Sequence, residues 1–332
     1  MKAIERIILS AKENPKTIAL CEGQDPRVIK AALRAQKENI AKVILVGSNR
    51  DLETQARAQG LDLHELTLVE THNSEWKPDL AQAMYEARKH KGMTQEDATR
   101  IIDQPLVFAN MLVRQGYADG LVAGAVHTTA EVVRHAIQLI GTNRDFPLVS
   151  SFFIMMLCEP FHQHKGSLIF TDCGLVVDPN EEQLANIAIT ASKSATQLLN
   201  VEPRIAMLSF STNGSAQHSA VDKVINAAKL VKNKHPDLTI DEDVQFDAAI
   251  VKEIASKKSP NSAVQGDANI LVFPNLEAGN IGYKLAERLS GAKAIGPLLQ
   301  GLAKPANDLS RGCSEDDIFH VIATTVVQAQ HT

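Results

Sequence analysis

The sequence predicts an α/β protein whose strands run parallel beneath covering helices. Short apolar runs alternate along the chain with segments of helical period, the pattern of repeated strand–helix–strand units. The first such unit is complete by Val46. The chain has 332 residues, beyond the size at which one hydrophobic core stops growing, so two domains, or one interrupted by another, are expected.

Residues 1–16 (MKAIERIILSAKENPK) read as an amphipathic helix rather than a signal peptide. Thr17–Cys21 (TIALC) is a short strand, followed by the turn Glu22-Gly23-Gln24-Asp25-Pro26-Arg27. Asp25 before Pro26 is most simply a helix start, an N-cap with Pro at the first helical position. Val28–Glu38 is helical, and Ala41–Val46 (AKVILV) is a buried strand ending at Gly47-Ser48. Leu66–Val69 continues as a strand. Asp79–Lys91, Thr94–Asp103 and Gln104–Gln115 follow as helices. Ala118–Val122 is a strand closing at Gly124, and His127–Ile140 is a helix capped by Thr128 or Thr129.

After Gly141 the style changes. Leu148–Met156 and Ser167–Thr171 flank a polar link, Cys158–Gly166, and read as an antiparallel pair. Helices and strands then alternate through Glu181–Asn200, Arg204–Ser209, Ser219–Asn233, Ile270–Phe273 and Asn280–Ser290. Near Ala292–Pro297 the first style returns, and Asp317–Gln330 is the last helix. The expected domains are therefore 1–145 with 296–332, and an inserted 146–295.

Composition excludes several functions. Hydrophobic residues at 44% and charged residues at 22% fit a soluble globular chain. Aromatics at 4% with one Trp leave no stacking platform for nucleic acid, and a net charge of −5 without a basic run speaks against a phosphate-backbone partner. No apolar run reaches the roughly 18 residues of a membrane span. Cys21, Cys158, Cys173 and Cys313 lack C-x-x-C spacing, so no metal is expected, and free thiols fit a cytoplasmic setting.

Gly296–Asp317 (GPLLQGLAKPANDLSRGCSEDD) carries the densest chemistry. It reads as one glycine- and proline-broken loop holding Lys304, Asn307, Asp308, Ser310, Arg311 and Cys313, with Asp316 and Asp317 next. A reaction on an anionic acyl or phosphoryl group would use every member. Part of it has a plainer reading: Ser314 can cap the final helix with Asp317 as its capping-box partner. Gly120–Arg134 is a strand, a glycine turn and a helix start, whose amides and Thr128 and Thr129 hydroxyls can cradle a phosphate or simply cap a helix. Ser209–Ser215 (SFSTNGS), with Ser211 and Thr212, is a weaker phosphate-loop pattern, not a Walker A loop. Gly279–Lys284 (GNIGYK) fits a ligand turn or a helix end equally.

In order along the chain, GLVAGAVHTTAEVVRHAIQLIG, SSFFIMML, DPNEEQLANIAI, EPRIAMLSFST, QFDAAI, GNIGYK and GPLLQGLAKPANDLSRGCS resemble the phosphate acetyltransferase (phosphotransacetylase) family in its short form, over nearly the whole chain. The resemblance implies two α/β domains with a cleft between them, as in isocitrate and isopropylmalate dehydrogenases, and a homodimer. It implies reversible acetyl transfer between coenzyme A and phosphate, with coenzyme A as a substrate and no cofactor. It puts the base on Asp317, the transition-state donor on Ser310 and its neighbouring arginine on Arg311. Further arginines fall on Arg88 and Arg134 for substrate phosphates, and Gly282, Lys284 and Cys313 fall near the coenzyme. Asn213 stands where Lys or Gly is frequent, and Asn275 where Asp is.

These residue types suit the reaction. A thiol near pKa 8.5 is mostly protonated at neutral pH, so a base is needed, and an environment that raises the Asp317 pKa is expected. A hydroxyl suits the developing oxyanion, and an arginine fork suits phosphate. Three alternatives remain: a butyryl-type phosphate acyltransferase, a non-catalytic acetyl-CoA-sensing domain, and a metal-dependent hydroxyacid dehydrogenase. The last is disfavoured because Cys313 stands where an aspartate partner of Asp317 would be.

Overall fold

The computed structural model describes residues 3–146, 148–162 and 166–332. It divides into two compact units, one of Ile4–Pro147 with Leu302–Thr332, the other of Leu148–Gly301.

The first unit begins with α1 (Ala3–Glu13), β1 (Lys16–Leu20), α2 (Pro26–Lys37), β2 (Ala41–Val46), α3 (Asn49–Ala58) and β3 (Thr67–Val69). α4 (Lys77–Arg88), α5 (Gln95–Ile101), α6 (Pro105–Gln115), β4 (Gly120–Ala123) and α7 (Thr129–His135) follow, with a π-helical turn at Ala136–Ile140. Its sheet is wholly parallel in the order β11-β4-β1-β2-β3, where β11 is Ala306–Asp308. Ile18, Ala19 and Leu20 are buried together, as a central parallel strand requires. Leu106–Val113 of α6 is buried all round, as is most of the final helix α13 (Glu315–Gln330), and both pack on β1 and β4. The Arg34 guanidinium of α2 lies 3.8 Å over the Phe319 ring of α13.

The second unit holds β5 (Ser150–Leu157), β6 (Gly166–Thr171), α8 (Glu181–Ser194), β7 (Arg204–Leu208), α9 (Ser219–Lys234) and β8 (Thr239–Val244). α10 (Phe246–Ile250), α11 (Lys252–Lys258), β9 (Ile270–Val272), α12 (Leu276–Ser290) and β10 (Lys293–Gln300) complete it. Its sheet order is β10-β5-β6-β9-β7-β8. β5 and β6 form the antiparallel pair read from the sequence, and the rest of the sheet beyond β6 is parallel. Part of the Cys158–Gly166 link lies outside the described residues.

Three readings change. The Gly296–Asp317 stretch is not one loop: Gly296–Gln300 closes β10 on β5, and Asn307 and Asp308 are buried in β11. Pro297 sits at the register shift between Ile295 and Leu298, where a missing N–H costs no ladder bond. The helix expected over Asn280–Ser290 begins at Leu276, so Gly279 and Gly282 both lie inside α12 rather than in a turn or at a helix end. A Cβ on Gly282 would meet the Phe273 ring at 3.0 Å, so this glycine serves close packing. β8 escaped the sequence reading because its polar residues Asp241 and Asp243 anchor neighbouring loops rather than face solvent. Asn213 and Asn275 have local reasons: Asn213 has φ of +49°, which Gly or Asn accepts, and Asn275 caps α12 as Asp would.

Candidate active site

β11, β4 and β1 are neighbours in the parallel sheet. The loops leaving their C-terminal ends carry Ser310–Ser314, Gly124–Thr128 and Cys21–Asp25. That edge is where open parallel sheets bind ligands.

Glu22 organises the middle loop. It is 1% exposed. Its Oε2 accepts from the amides of Gly124 (2.9 Å) and Ala125 (2.8 Å), and its Oε1 from Val126 (3.0 Å) and His127 (2.8 Å). His127 Nδ1 lies 2.8 Å from Oε1. Burial pushes this carboxyl up, but the His127 ring and the amides outweigh it and hold it below the ordinary glutamate range. Glu22 in turn raises the His127 pKa. Gly124 has φ of +114°, and a Cβ there would collide with Asp308 Oδ1 and the Leu309 amide.

In the Gly124–Thr129 turn, where the sequence predicts a phosphate cradle or a helix cap, the backbone amides of Gly124 to His127 are taken. They already hold an anion, the chain's own Glu22. The Thr128 amide and hydroxyl both reach Glu131 Oε2, at 2.9 and 2.8 Å, in a capping box. The Thr129 hydroxyl lies 2.6 Å from Asp308 Oδ2.

Arg27 ties the three loops together. It pairs with Asp25 through Nη2–Oδ2 at 2.6 Å. Nη1 donates to the carbonyls of Cys313 (2.5 Å) and Arg311 (3.0 Å), and Nη2 to that of Ala125 (3.3 Å). Asp25-Pro26-Arg27 is the helix start read from the sequence, and Arg27 is in addition the clamp on the Ser310–Cys313 turn.

In that turn the Cys313 amide donates to the Ser310 carbonyl at 2.9 Å, and Ser310 Oγ accepts from the Gly312 amide at 3.3 Å. The Ser310 and Arg311 side chains are exposed. Arg311 makes no ion pair among the described residues. Cys313 is buried behind Arg27, and burial pushes its thiol up to about 11, so it packs rather than presents a thiol. Ser314 caps α13, with Asp317 Oδ2 accepting from both the Ser314 amide and hydroxyl at 2.8 Å. Asp317 is exposed, and its Oδ1 has no donor among the described residues. The cap reading therefore holds and leaves one carboxylate oxygen available.

The remaining candidates lie on other elements. Arg88 ends α4 half-exposed, and Arg134 is exposed late in α7. Lys304 donates to the Val113 carbonyl (2.8 Å), and Asn307 to Thr325 Oγ1 (2.8 Å) and Gln328 Oε1 (2.7 Å), so both hold the fold rather than a substrate. In the other unit, Ser211 donates to Asp243 Oδ2 at 2.8 Å and Thr212 to Gln245 Oε1 at 3.2 Å. Both are buried and shape their own loop. Lys284 is exposed, its Nζ 5.8 Å from the Tyr283 ring centre. Among the described residues no group of three or more His, Cys, Asp or Glu is placed to hold a metal, and no helix is long and apolar enough to cross a membrane.

Sequence reasoning missed Glu22 and Arg27 as parts of this site, and it placed Asp308 in the chemistry-bearing segment without its burial in β11. The available signal was their position: charged residues just beyond the C-terminal end of a parallel strand, the edge at which such sheets bind ligands.

A family model described as phosphate acetyl/butaryl transferase matches residues 2–326. A phosphate acetyltransferase of Thermoanaerobacterium thermosaccharolyticum is 50% identical over 330 residues, covering 99% of this chain and 100% of its own. The crystal structure of a phosphotransacetylase from Streptococcus pyogenes superposes with a TM-score of 0.93 at 38% identity, covering 99% of this chain and 98% of its own. A Salmonella typhimurium protein described as a 4-hydroxythreonine-4-phosphate dehydrogenase shares the fold at a TM-score of 0.56 and 12% identity, covering 94% and 99%.

Proposed function

The chain belongs to the phosphate acetyl/butaryl transferase family and is an acyltransferase of the phosphate acetyltransferase kind, and from that premise we propose how its residues carry the reaction. Acetyl phosphate and coenzyme A bind together. Asp317 takes the thiol proton through its unpartnered Oδ1 as the sulfur attacks the acetyl carbonyl. The Ser310 hydroxyl donates to the oxygen on which charge develops, and Arg311 holds the phosphoryl group. The tetrahedral intermediate collapses, the C–O bond to phosphate breaks, and acetyl-CoA and phosphate leave. The reverse direction uses protonated Asp317 to return the proton to the departing thiolate. Arg88 and Arg134 are the further cations for the substrates' phosphates, and Lys284 is one for coenzyme A. No cofactor enters the scheme.

Near-full-length similarity at 50% identity to a phosphate acetyltransferase carries this reading. The exposed Ser310-Arg311 turn beside a half-used Asp317 carboxylate agrees with it. The test mixes the protein with acetyl phosphate and coenzyme A and follows thioester formation. Acetyl phosphate is expected to outrun butyryl phosphate about tenfold or more, since extra methylenes that do not fit cost at least that much. A faster butyryl reaction would make it a butyryl-type enzyme, and binding without turnover would make it a sensor.

A cytoplasmic setting and a homodimer belong to the same proposal. The apolar side chains Ile281, Leu285 and Leu289 are exposed at four-residue spacing on α12, one face that a second copy would cover. Light scattering at micromolar concentration is expected to give twice the chain mass, and a monomer mass would refute the dimer.

A further inference from the structure

Asp308 ends β11, two residues before Ser310, and is fully buried. Its Oδ2 meets the Thr129 hydroxyl at 2.6 Å. Its Oδ1 has no hydrogen-bond partner among the described residues. A buried carboxylate needs several donors to stay ionised, and this one has the Thr129 hydroxyl and a weaker approach from the Leu309 amide, which itself donates to the Ala123 carbonyl at 2.8 Å. A length of 2.6 Å suits a carboxylic acid donating as well as a carboxylate accepting, so burial decides. The charged group facing Asp308 is Glu22 from the β1 loop, and it repels a second negative charge. Behind Glu22 stand the His127 ring of the β4 loop and Arg27 of α2, both already committed to neutralising Glu22 and Asp25. From the β4–α7 side, Glu131 is spent on Thr128.

We propose that Asp308 is a neutral carboxylic acid that donates its proton to Thr129 Oγ1 and so turns the Thr129 hydroxyl outward, as a donor to the phosphoryl oxygens of the substrate. The inference rests on the acetyl phosphate reading above. As a neutral acid, Asp308 leaves only a carbonyl oxygen orphaned at Oδ1, far cheaper than half a carboxylate. A buried acid kept neutral in order to donate is an established way of using such a residue. Thr129, at the first position of α7, is exposed, so its hydroxyl can serve a ligand once its oxygen is satisfied from behind. If Asp308 ionises, the Thr129 proton must turn inward to the carboxylate, and the outward donor is lost. Burial and Glu22 raise the Asp308 pKa to about 7, so the change falls within a testable range. Asp308 touches no substrate here; it is a positioning residue acting through Thr129.

The experiment measures the KM for acetyl phosphate, whose phosphoryl group is already fully ionised, from pH 6 to 8.5. Wild type is expected to show a KM rising about tenfold across that range, the worth of one hydrogen bond to a charged group. Asp308→Asn, whose amide donates to Thr129 at every pH, should keep the low KM throughout. Thr129→Val should hold the high KM at every pH, and Thr129→Ser should restore the wild-type profile. A wild-type rise that persists in Asp308→Asn, or a Thr129→Val KM equal to wild type at pH 6, overturns the proposal. The same series is read as inorganic phosphate binding by calorimetry, corrected for phosphate's own ionisation with Asp308→Asn as reference. That readout needs no turnover. Its pH pattern without any thioester formation would support the Asp308–Thr129 device and sink the transfer reaction instead.

Discussion

Asp317→Asn is expected to lower the rate of acetyl transfer about a hundred- to a thousandfold, the usual worth of a positioned general base, while the protein stays folded. The two roles of Asp317 make this variant informative. As a cap it accepts from the Ser314 amide and hydroxyl through Oδ2, and the Asn amide oxygen can still accept there. The stability cost is therefore expected within about 1 kcal/mol, read as a shift of the urea midpoint. As a base it needs a free carboxylate oxygen, and Asn has none. The KM values for both substrates should change little, because the lost interaction belongs to proton transfer and not to binding. Activity near wild type would leave the cap as the residue's whole purpose and move the base elsewhere. Equal losses of stability and rate would mean that only the turn had been disturbed.

The sequence made much of the first unit legible because its signals are local. Asp25 before Pro26, Thr94 and Thr128 each announce a helix start, and each caps one. AKVILV is apolar on both faces because it is the parallel strand β2. The elements that escaped are those whose reasons are distant. β11 is three residues long and carries Asn307 and Asp308, polar side chains whose partners stand on α13 and α7. Nothing nearby in sequence declares them buried. The turn at Gly124–His127 shows the same limit from the other side. Glycine and consecutive amides do form an anion nest, but the anion is Glu22, more than a hundred positions earlier in the chain and only a strand away in the sheet. Local pattern named the chemistry of the nest correctly and could not name its occupant. For the Ser310–Asp317 turn, spacing revealed the cap, whereas the roles beyond it came from the family resemblance.

Glu22→Gln is expected to destabilise its unit by about 3 kcal/mol, and Glu22→Ala by more, because each buried donor left without a charged acceptor carries a desolvation cost of roughly 1–3 kcal/mol. Gln keeps one acceptor oxygen but turns an NH₂ group toward two of the amides that now meet the carboxylate. Thermal and urea unfolding followed by near-ultraviolet circular dichroism measure this loss, with the Thr129 and Ser310 loops losing order first. The pH dependence identifies the group. The folded pKa of Glu22 is depressed, so its contribution is fully present above the unfolded glutamate value and is lost as pH falls through the lower folded one. The His127 pKa is raised, so its contribution is present below the unfolded histidine value and fades as pH rises through the folded one. Wild type should therefore outlast Glu22→Gln by the widest margin between the two unfolded values, near pH 4.5 to 6.5, and the gap should narrow in stronger acid. No gap at all, or a gap that does not narrow below that range, would show that the amides are satisfied without the charge. Activity provides the second arm: the nest fixes the backbone that carries Thr129 and lies against Asp308, so Glu22→Gln should weaken acetyl phosphate binding even at temperatures where the variant is fully folded.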